Sequence, residues 1–142
     1  MSGPEGKGIV LVSCVKSKQP KRCAAAEMYI SPLFKKKMVY ARSLQPKRIF
    51  ILSAKYGLLD PTTVIEPYEQ TLNNMSATER RAWTKAVLNS LQEQADLNND
   101  HFVFLAGARY REGLLPHIRN YSVPMEKMPF GKQLQWLEAT HP

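Results

Sequence analysis

Gly8-Ile-Val-Leu-Val-Ser-Cys14 is a continuous apolar run that ends in small residues. Its lack of polar alternation predicts a strand buried on both faces, as in a parallel sheet. Two further runs share the pattern: Arg48-Ile-Phe-Ile-Leu-Ser53 and His101-Phe-Val-Phe-Leu-Ala106. Helical patterns separate the three. Ser31-Pro32 supplies a capping hydroxyl and a proline at the first helical position, and Leu33, Phe34, Met38, Ala41 and Leu44 then recur at helical spacing. Ser76-Ala-Thr-Glu79 is a capping box, with Trp83, Ala86, Val87 and Leu91 as the apolar stripe behind it. Alternating strands and helices predict an α/β protein, a three-layer sandwich around a mostly parallel sheet.

Weaker signals fill the rest. Val15 to Ala26 and Ala54 to Met75 read as loops, the second unusually long for a compact domain and therefore a candidate for function. Gly107 opens a helical segment that Pro116 breaks. Tyr121 to Met125 reads as an edge strand because of Pro124, and Gly131 to Thr140 as a last short helix. Residues 1–7 read as a flexible tail and 8–142 as a single domain, which suits a chain of 142 residues.

Composition narrows the function. Apolar residues make 44% of the chain and charged residues 23%, which excludes a disordered or collagen-like protein. No apolar stretch approaches the ~18–20 residues of a spanning helix, so no membrane partner is expected. The N-terminus carries no signal-peptide pattern, so a cytoplasmic protein is expected. Cys14 and Cys23 are then free thiols, and His101, His117 and His141 show no ligand spacing relative to them, so neither a metal nor a cofactor is expected. Lys+Arg 20 against Asp+Glu 12 gives +8. On a small domain that charge attracts polyanions, nucleic acid foremost.

In parallel sheets ligands bind beyond the carboxyl ends of the strands. Three constellations gather there. In Ser13-Cys14-Val-Lys16-Ser17-Lys18, small residues let a ligand approach the backbone and two lysines meet an anion. A solvated basic loop is the bland alternative, and Cys14 as a nucleophile is the weaker one. In Glu27-Met-Tyr29-Ile-Ser31-Pro32-Leu33-Phe34, Glu27 stands before a helix start as a general base or as an ordinary surface carboxylate. Lys35, Lys36 and Lys37 follow as a patch for phosphates. Lys37 falls inside the apolar stripe, where a stem snorkelling from the core edge is favoured over a buried catalytic amine. The third constellation, Leu52-Ser53-Ala54-Lys55-Tyr56-Gly57-Leu58-Leu59-Asp60-Pro61 with Ile65-Glu66-Pro67-Tyr68, offers a hydroxyl, a cation, stacking rings and a fixed turn.

Taken in order, these segments resemble the YaaA-like family, and most closely a small-domain branch from bacteria and phages. The resemblance rests on Ser13-Cys14 with Lys18, Glu27-Met-Tyr29 through Phe34, the Leu52–Pro61 and Ile65–Leu72 segments, Ala106-Gly107 with Tyr110, and Gly131-Lys-Gln133-Leu134-Gln-Trp136-Leu137. It covers residues 9–138. Met28 stands where that branch has Leu, and a second glycine before Gly131 is missing. The resemblance implies nucleic acid as the partner: YaaA proteins of peroxide stress are associated with DNA binding, while archaeal tRNA-guanine-modifying enzymes and some phage-defence DNA glycosylases are similar at a distance.

The expectation is a DNA glycosylase or base-modifying enzyme acting at an N-glycosidic bond, with a role in antiviral defence. The alternative is a DNA-binding protein without turnover, of the stress-response kind. Such an enzyme must take the base out of the stack into a pocket. Tyr56, Tyr68 and Tyr110 are expected to line it, Tyr68 also as a catalytic residue beside Glu27, Lys18 and Lys55, with Ser13, Cys14, Tyr29, Ser31, Ser53, Gly57 and Gly107 as further binding residues. Lys16, Lys18 and Lys55 would hold phosphates. Two mechanisms stay open: Glu27 activates water, or one of Lys16, Lys18 and Lys55 attacks the anomeric carbon and forms a Schiff base.

Overall fold

In the computed structural model, which describes residues 8–140, the three apolar runs are neighbours in one sheet. The tail expected for residues 1–7 lies outside the described residues. Strand β1 (Ile9–Ser13) pairs in parallel with β3 (Arg48–Ser53) on one side and with β6 (His101–Leu105) on the other. The short edge strand β7 (Asn120–Ser122) continues the parallel set beside β6 and ends before Pro124, which cannot donate to a ladder. At the opposite edge β4 (Gly57–Leu59) folds back antiparallel on β3. The order is therefore β4-β3-β1-β6-β7, and all five residues of β1 are buried.

The segments read as loops carry more structure than their composition announced. The first holds β2 (Cys23–Ala24) and leads into a single helical turn, α1 (Ala25–Met28). The second holds β4 and β5 (Val64–Ile65), and β5 pairs with β2 in a separate two-stranded ribbon. Strands of two or three residues are too short to show periodicity, so pairing with a distant partner decides them. Gly57 has φ 74°, a left-handed conformation in which glycine meets no Cβ penalty, and it starts the turn back along β3.

Helix α2 (Pro32–Ser43) connects β1 to β3, and Ser31 Oγ accepts the Phe34 N–H at 3.1 Å, as the capping pattern predicts. Helix α3 (Ala77–Gln92) connects β3 to β6 and carries both bonds of its capping box, at 2.8 and 3.1 Å. The first connection runs outward from β1 and the second returns past it. Right-handed crossovers then set α2 and α3 on opposite faces of the sheet. The last helix, α5 (Phe130–Thr140), packs beside α2, where the rings of Tyr40 and Trp136 meet edge to face at 5.0 Å. This is the expected three-layer sandwich. Between β6 and β7 the chain makes one short helix, α4 (Ala108–Arg111), and a 3-10 turn at Leu115–His117 that contains Pro116.

The sequence order of the parallel strands reverses at β1. The connections after β1 and β6 leave in opposite directions, and a crevice opens between the two strand ends. No described helix is long and apolar enough to cross a membrane.

Candidate functional site

The crevice between β1 and β6 is a cavity of about 600 Å³. Ser13 and Cys14 enter it from the end of β1, Ala106 and Gly107 from the end of β6, and Tyr110 and Arg111 from α4. Leu33 and Lys37 of α2 form one wall, and Glu126, Met128 and Gln133 close the far side. Small residues at both strand ends leave the room. The Gly107 N–H points to Ser13 Oγ at 3.4 Å, and Cys14 Sγ lies 3.1 Å from the Tyr110 hydroxyl, so both strand ends are tied across the crevice.

Lys37 is the unexpected member. Its place on the inward stripe of α2 leaves the side chain only 5% exposed. No hydrogen bond or ion pair to its Nζ occurs among the described residues. Nor does any described side-chain nitrogen or oxygen lie cut off from solvent without a partner. The amine therefore opens onto accessible space, and the cavity is the space this residue lines. Burial lowers its pKa to about 8, opposed only by the nearby Cys14. This corrects the expectation that Lys37 contacts a nucleic-acid backbone, since a side chain buried under α2 cannot reach a phosphate chain outside. Lys36 is engaged with Glu138 of α5 at 3.7 Å, which leaves Lys35 as the exposed member of that expected patch.

Beside the cavity stands a chain of hydroxyls. Ser53 Oγ donates to the Tyr68 hydroxyl at 2.8 Å, and the Tyr29 and Tyr68 hydroxyls are 2.6 Å apart. Ser53 Oγ also accepts the Tyr56 N–H at 3.0 Å, and the Ser53 carbonyl accepts the Trp83 indole N–H at 2.8 Å. Ser13 and Leu52 are register partners, so Ser13 and Ser53 sit at the same end of the sheet. Lys18 covers this cluster from outside, its Nζ 4.4 Å from the centre of the Tyr68 ring and its pKa lowered by burial. Burial raises the Tyr29 pKa to about 12 and pushes Tyr68 and Tyr110 up as well. All three are neutral phenols at physiological pH. Tyr68, expected among the catalysts, is buried with its hydroxyl held on two sides and is not among the residues lining the cavity.

The other expected residues separate. Glu27 is exposed on α1 and is not among the residues lining the cavity. Lys55 is exposed and lies over its neighbour Tyr56, with Nζ 5.3 Å from the ring centre. Together with Gly57 and Trp83 these two line a shallower recess. Lys16 is exposed, and its carbonyl accepts the Lys18 amine at 3.1 Å. Ser31 is spent on its helix cap. Arg111, Glu126 and Met128 line the cavity without any signal in the sequence, because they come from segments whose position only the fold decides.

A second concavity, of about 610 Å³, lies between α3 and the α4 region. Arg80, Arg81, Lys85, Arg109 and His117 line it, with Glu112 as its one carboxylate. Arg109 Nη1 lies 3.6 Å from a Glu112 oxygen, which leaves the basic side in excess. Close packing shapes its floor: a Cβ on Gly113 would meet Thr84 Oγ1 of α3 at 2.6 Å. Helix α4 divides the two concavities, with Arg109 on the groove side and Tyr110 and Arg111 on the cavity side. Among the described residues no group of three or more His, Cys, Asp or Glu side chains is placed to hold a metal ion.

Fold and site together define an α/β domain with a ligand-sized crevice at the point where its strand order reverses. The chain belongs to the DUF6884 family, a family of unknown function, whose model matches residues 9–139. No curated protein and no solved structure matches it.

Proposed function

We propose that this protein is an enzyme acting on nucleic acid, a DNA glycosylase or base-modifying enzyme whose reaction takes place at the N-glycosidic bond. The observation that carries the reading is the pairing of the two concavities across α4 on a chain of net charge +8. The basic groove matches a phosphate backbone, for which several cations and one carboxylate give a net attraction. The cavity matches one extruded nucleoside: it lies within the 300–1,000 Å³ usual for small-ligand sites, and its lining mixes apolar walls with a few polar groups. An enzyme that works on a base must unstack it and hold it in such a pocket. Ser13, the Tyr110 phenol and Gln133 are among the hydrogen-bonding groups that line it, and Leu33, Phe104 and Met125 supply its apolar walls.

The sequence resemblance adds support, since the residues that carry the likeness to the small-domain YaaA-like branch include Ser13, Cys14, Gly107 and Tyr110, all at the cavity. The reading is tested by incubating the protein with plain and base-modified duplexes and assaying for abasic sites. Binding without abasic sites on any duplex would leave the groove as the whole function and make the protein a DNA-binding module.

A further inference from the structure

We propose that Lys37 is the nucleophile of this site, an amine that attacks the anomeric carbon of the extruded nucleoside and forms a Schiff base with the sugar. The inference rests on the reading of the cavity as a base pocket and adds to it the residue and the type of bond.

Three observations on Lys37 converge. It is the one lysine of the described residues that is buried, and it lines the cavity at the strand ends. Its Nζ has no acceptor among the described residues, whereas a structural buried lysine is normally paired, because an unpaired ammonium in an apolar setting is costly. Its neighbours across the cavity are the Cys14 thiol and the Tyr110 phenol, neither of them a carboxylate that would hold it as a structural ion pair. The ionisable groups around the cavity from other elements are Arg111, which donates to the Ala106 carbonyl at 2.7 Å, and the exposed Glu126 and Lys127. A pKa near 8 leaves roughly a tenth of the amine unprotonated at pH 7, against less than one part in a thousand for an ordinary lysine. Enzymes activate lysine nucleophiles by this kind of desolvation.

The chemistry balances with water as the only co-reactant. The neutral Nζ forms a bond to C1′ as the glycosidic C–N bond breaks and its electron pair leaves with the base. The departing base takes up the proton that the new ammonium loses. The C1′–O4′ bond then opens, O4′ takes a proton from water, and a C1′=N iminium joins the sugar to Lys37. Water adds to that carbon, the amine is expelled, and an abasic sugar remains. Neither Glu27 nor Lys55, which stand outside the cavity, has a part in these steps.

A duplex carrying a preformed abasic site tests this without knowledge of the preferred base, because the abasic sugar is itself an aldehyde. The full-length protein is mixed with that duplex and sodium borohydride across pH 6.5–10.5, and the adduct is located by peptide mass spectrometry. Expected is a covalent adduct on Lys37 whose yield rises with a midpoint near pH 8, lost in both Lys37→Met and Lys37→Arg. The arginine variant keeps size and charge but forms no Schiff base, so it serves should the methionine variant fail to fold. An adduct confined to surface lysines, or equal trapping in the folded Lys37→Arg variant, overturns the assignment. Base release undiminished in Lys37→Arg would also overturn it while leaving the enzyme reading intact. Trapping at Lys37 without base release from any duplex would uphold the reactive amine and sink the glycosylase reading instead.

Discussion

Cys14 Sγ and the Tyr110 hydroxyl, 96 positions apart in the chain, stand 3.1 Å from each other across the carboxyl ends of β1 and β6. The contact joins the first strand to the short helix that separates cavity from groove. It fixes the aromatic wall of the cavity, and the Trp83 ring of α3 supports that wall edge to face at 5.7 Å from Tyr110. Replacing Tyr110 by Phe removes the bond and keeps the ring. The expected loss is about 0.5–1.5 kcal/mol of unfolding free energy, the usual net worth of one hydrogen bond. Urea titration of the two proteins measures it, and an unchanged midpoint would show that the bond contributes nothing to stability.

The hydroxyl chain makes a sharper demand. Tyr68 both receives the Ser53 Oγ–H and meets the Tyr29 hydroxyl in the buried layer beside β3. Tyr68→Phe strips both groups of a partner where water cannot replace it. The expected cost is about 1–3 kcal/mol, larger than for Tyr110→Phe because a buried polar group is left unsatisfied. Equal costs for the two variants in the same titration would contradict this ranking.

Lys37 links the site to pH. Its folded pKa, about 8, lies below the unfolded value near 10.5. The unfolded chain therefore binds more protons between those two values, and stability rises with pH across that window. Below pH 8 the full penalty of the buried ammonium is present, on the order of 3 kcal/mol for a shift of this size. Lys37→Met removes it. The variant should be more stable than the parent at pH 7, with the advantage shrinking as pH climbs from 8 to 10.5. Denaturant melts at pH 7 and pH 10 check this; an advantage that grows with pH would mean that the amine is not buried in its charged form.

The groove carries an electrostatic forecast. Changing Arg81, Lys85 and Arg109 together to Glu should weaken DNA binding on all sequences alike. It should also flatten the dependence of log affinity on log salt, by about 0.9 for each phosphate that the protein no longer neutralises. Reversing Lys35, Lys47 and Lys132, exposed residues that do not line the groove, alters net charge equally. That control should change the salt slope far less. Anisotropy titrations at several salt concentrations separate the two, and matching slopes in both variants would remove the groove from the interface.

Much of the architecture was written in three runs. Buried parallel strands need unbroken apolar sequence, so Ile9–Ser13, Arg48–Ser53 and the residues around Phe102–Leu105 announced themselves, and Ser31-Pro32 and Ser76 with Glu79 marked the helix starts between them. The hairpin at Gly57–Leu59 and the ribbon of Cys23–Ala24 with Val64–Ile65 were silent, because strands this short are chosen by partners far along the chain. The site was legible in part. Ser13, Cys14, Gly107 and Tyr110 stand together because all four lie at or just beyond the carboxyl ends of strands in one parallel sheet. Lys37 was visible as an inward position on its helix, but what it faces depends on the cavity, which only the packing of α2 against the sheet creates. Glu27 had the right chemistry in the wrong place: it precedes α2 in the chain, yet α1 turns it outward.

The glycosylase reading comes down to whether a base enters the cavity and leaves its sugar. Gly107 offers a clean obstruction, since a Cβ there meets no atom within 4 Å and its φ of −64° suits any residue. Gly107→Phe should therefore fold and keep its groove, and because Gly107 lines the cavity the added ring should obstruct it. The decisive measurement is free base released from a panel of plain and modified duplexes, quantified for the parent and for Gly107→Phe with DNA affinity measured alongside. Release by the parent on at least one duplex, lost in the variant with affinity held nearly constant, is the predicted result. No release from any duplex by the parent, or equal release by a folded Gly107→Phe, contradicts it.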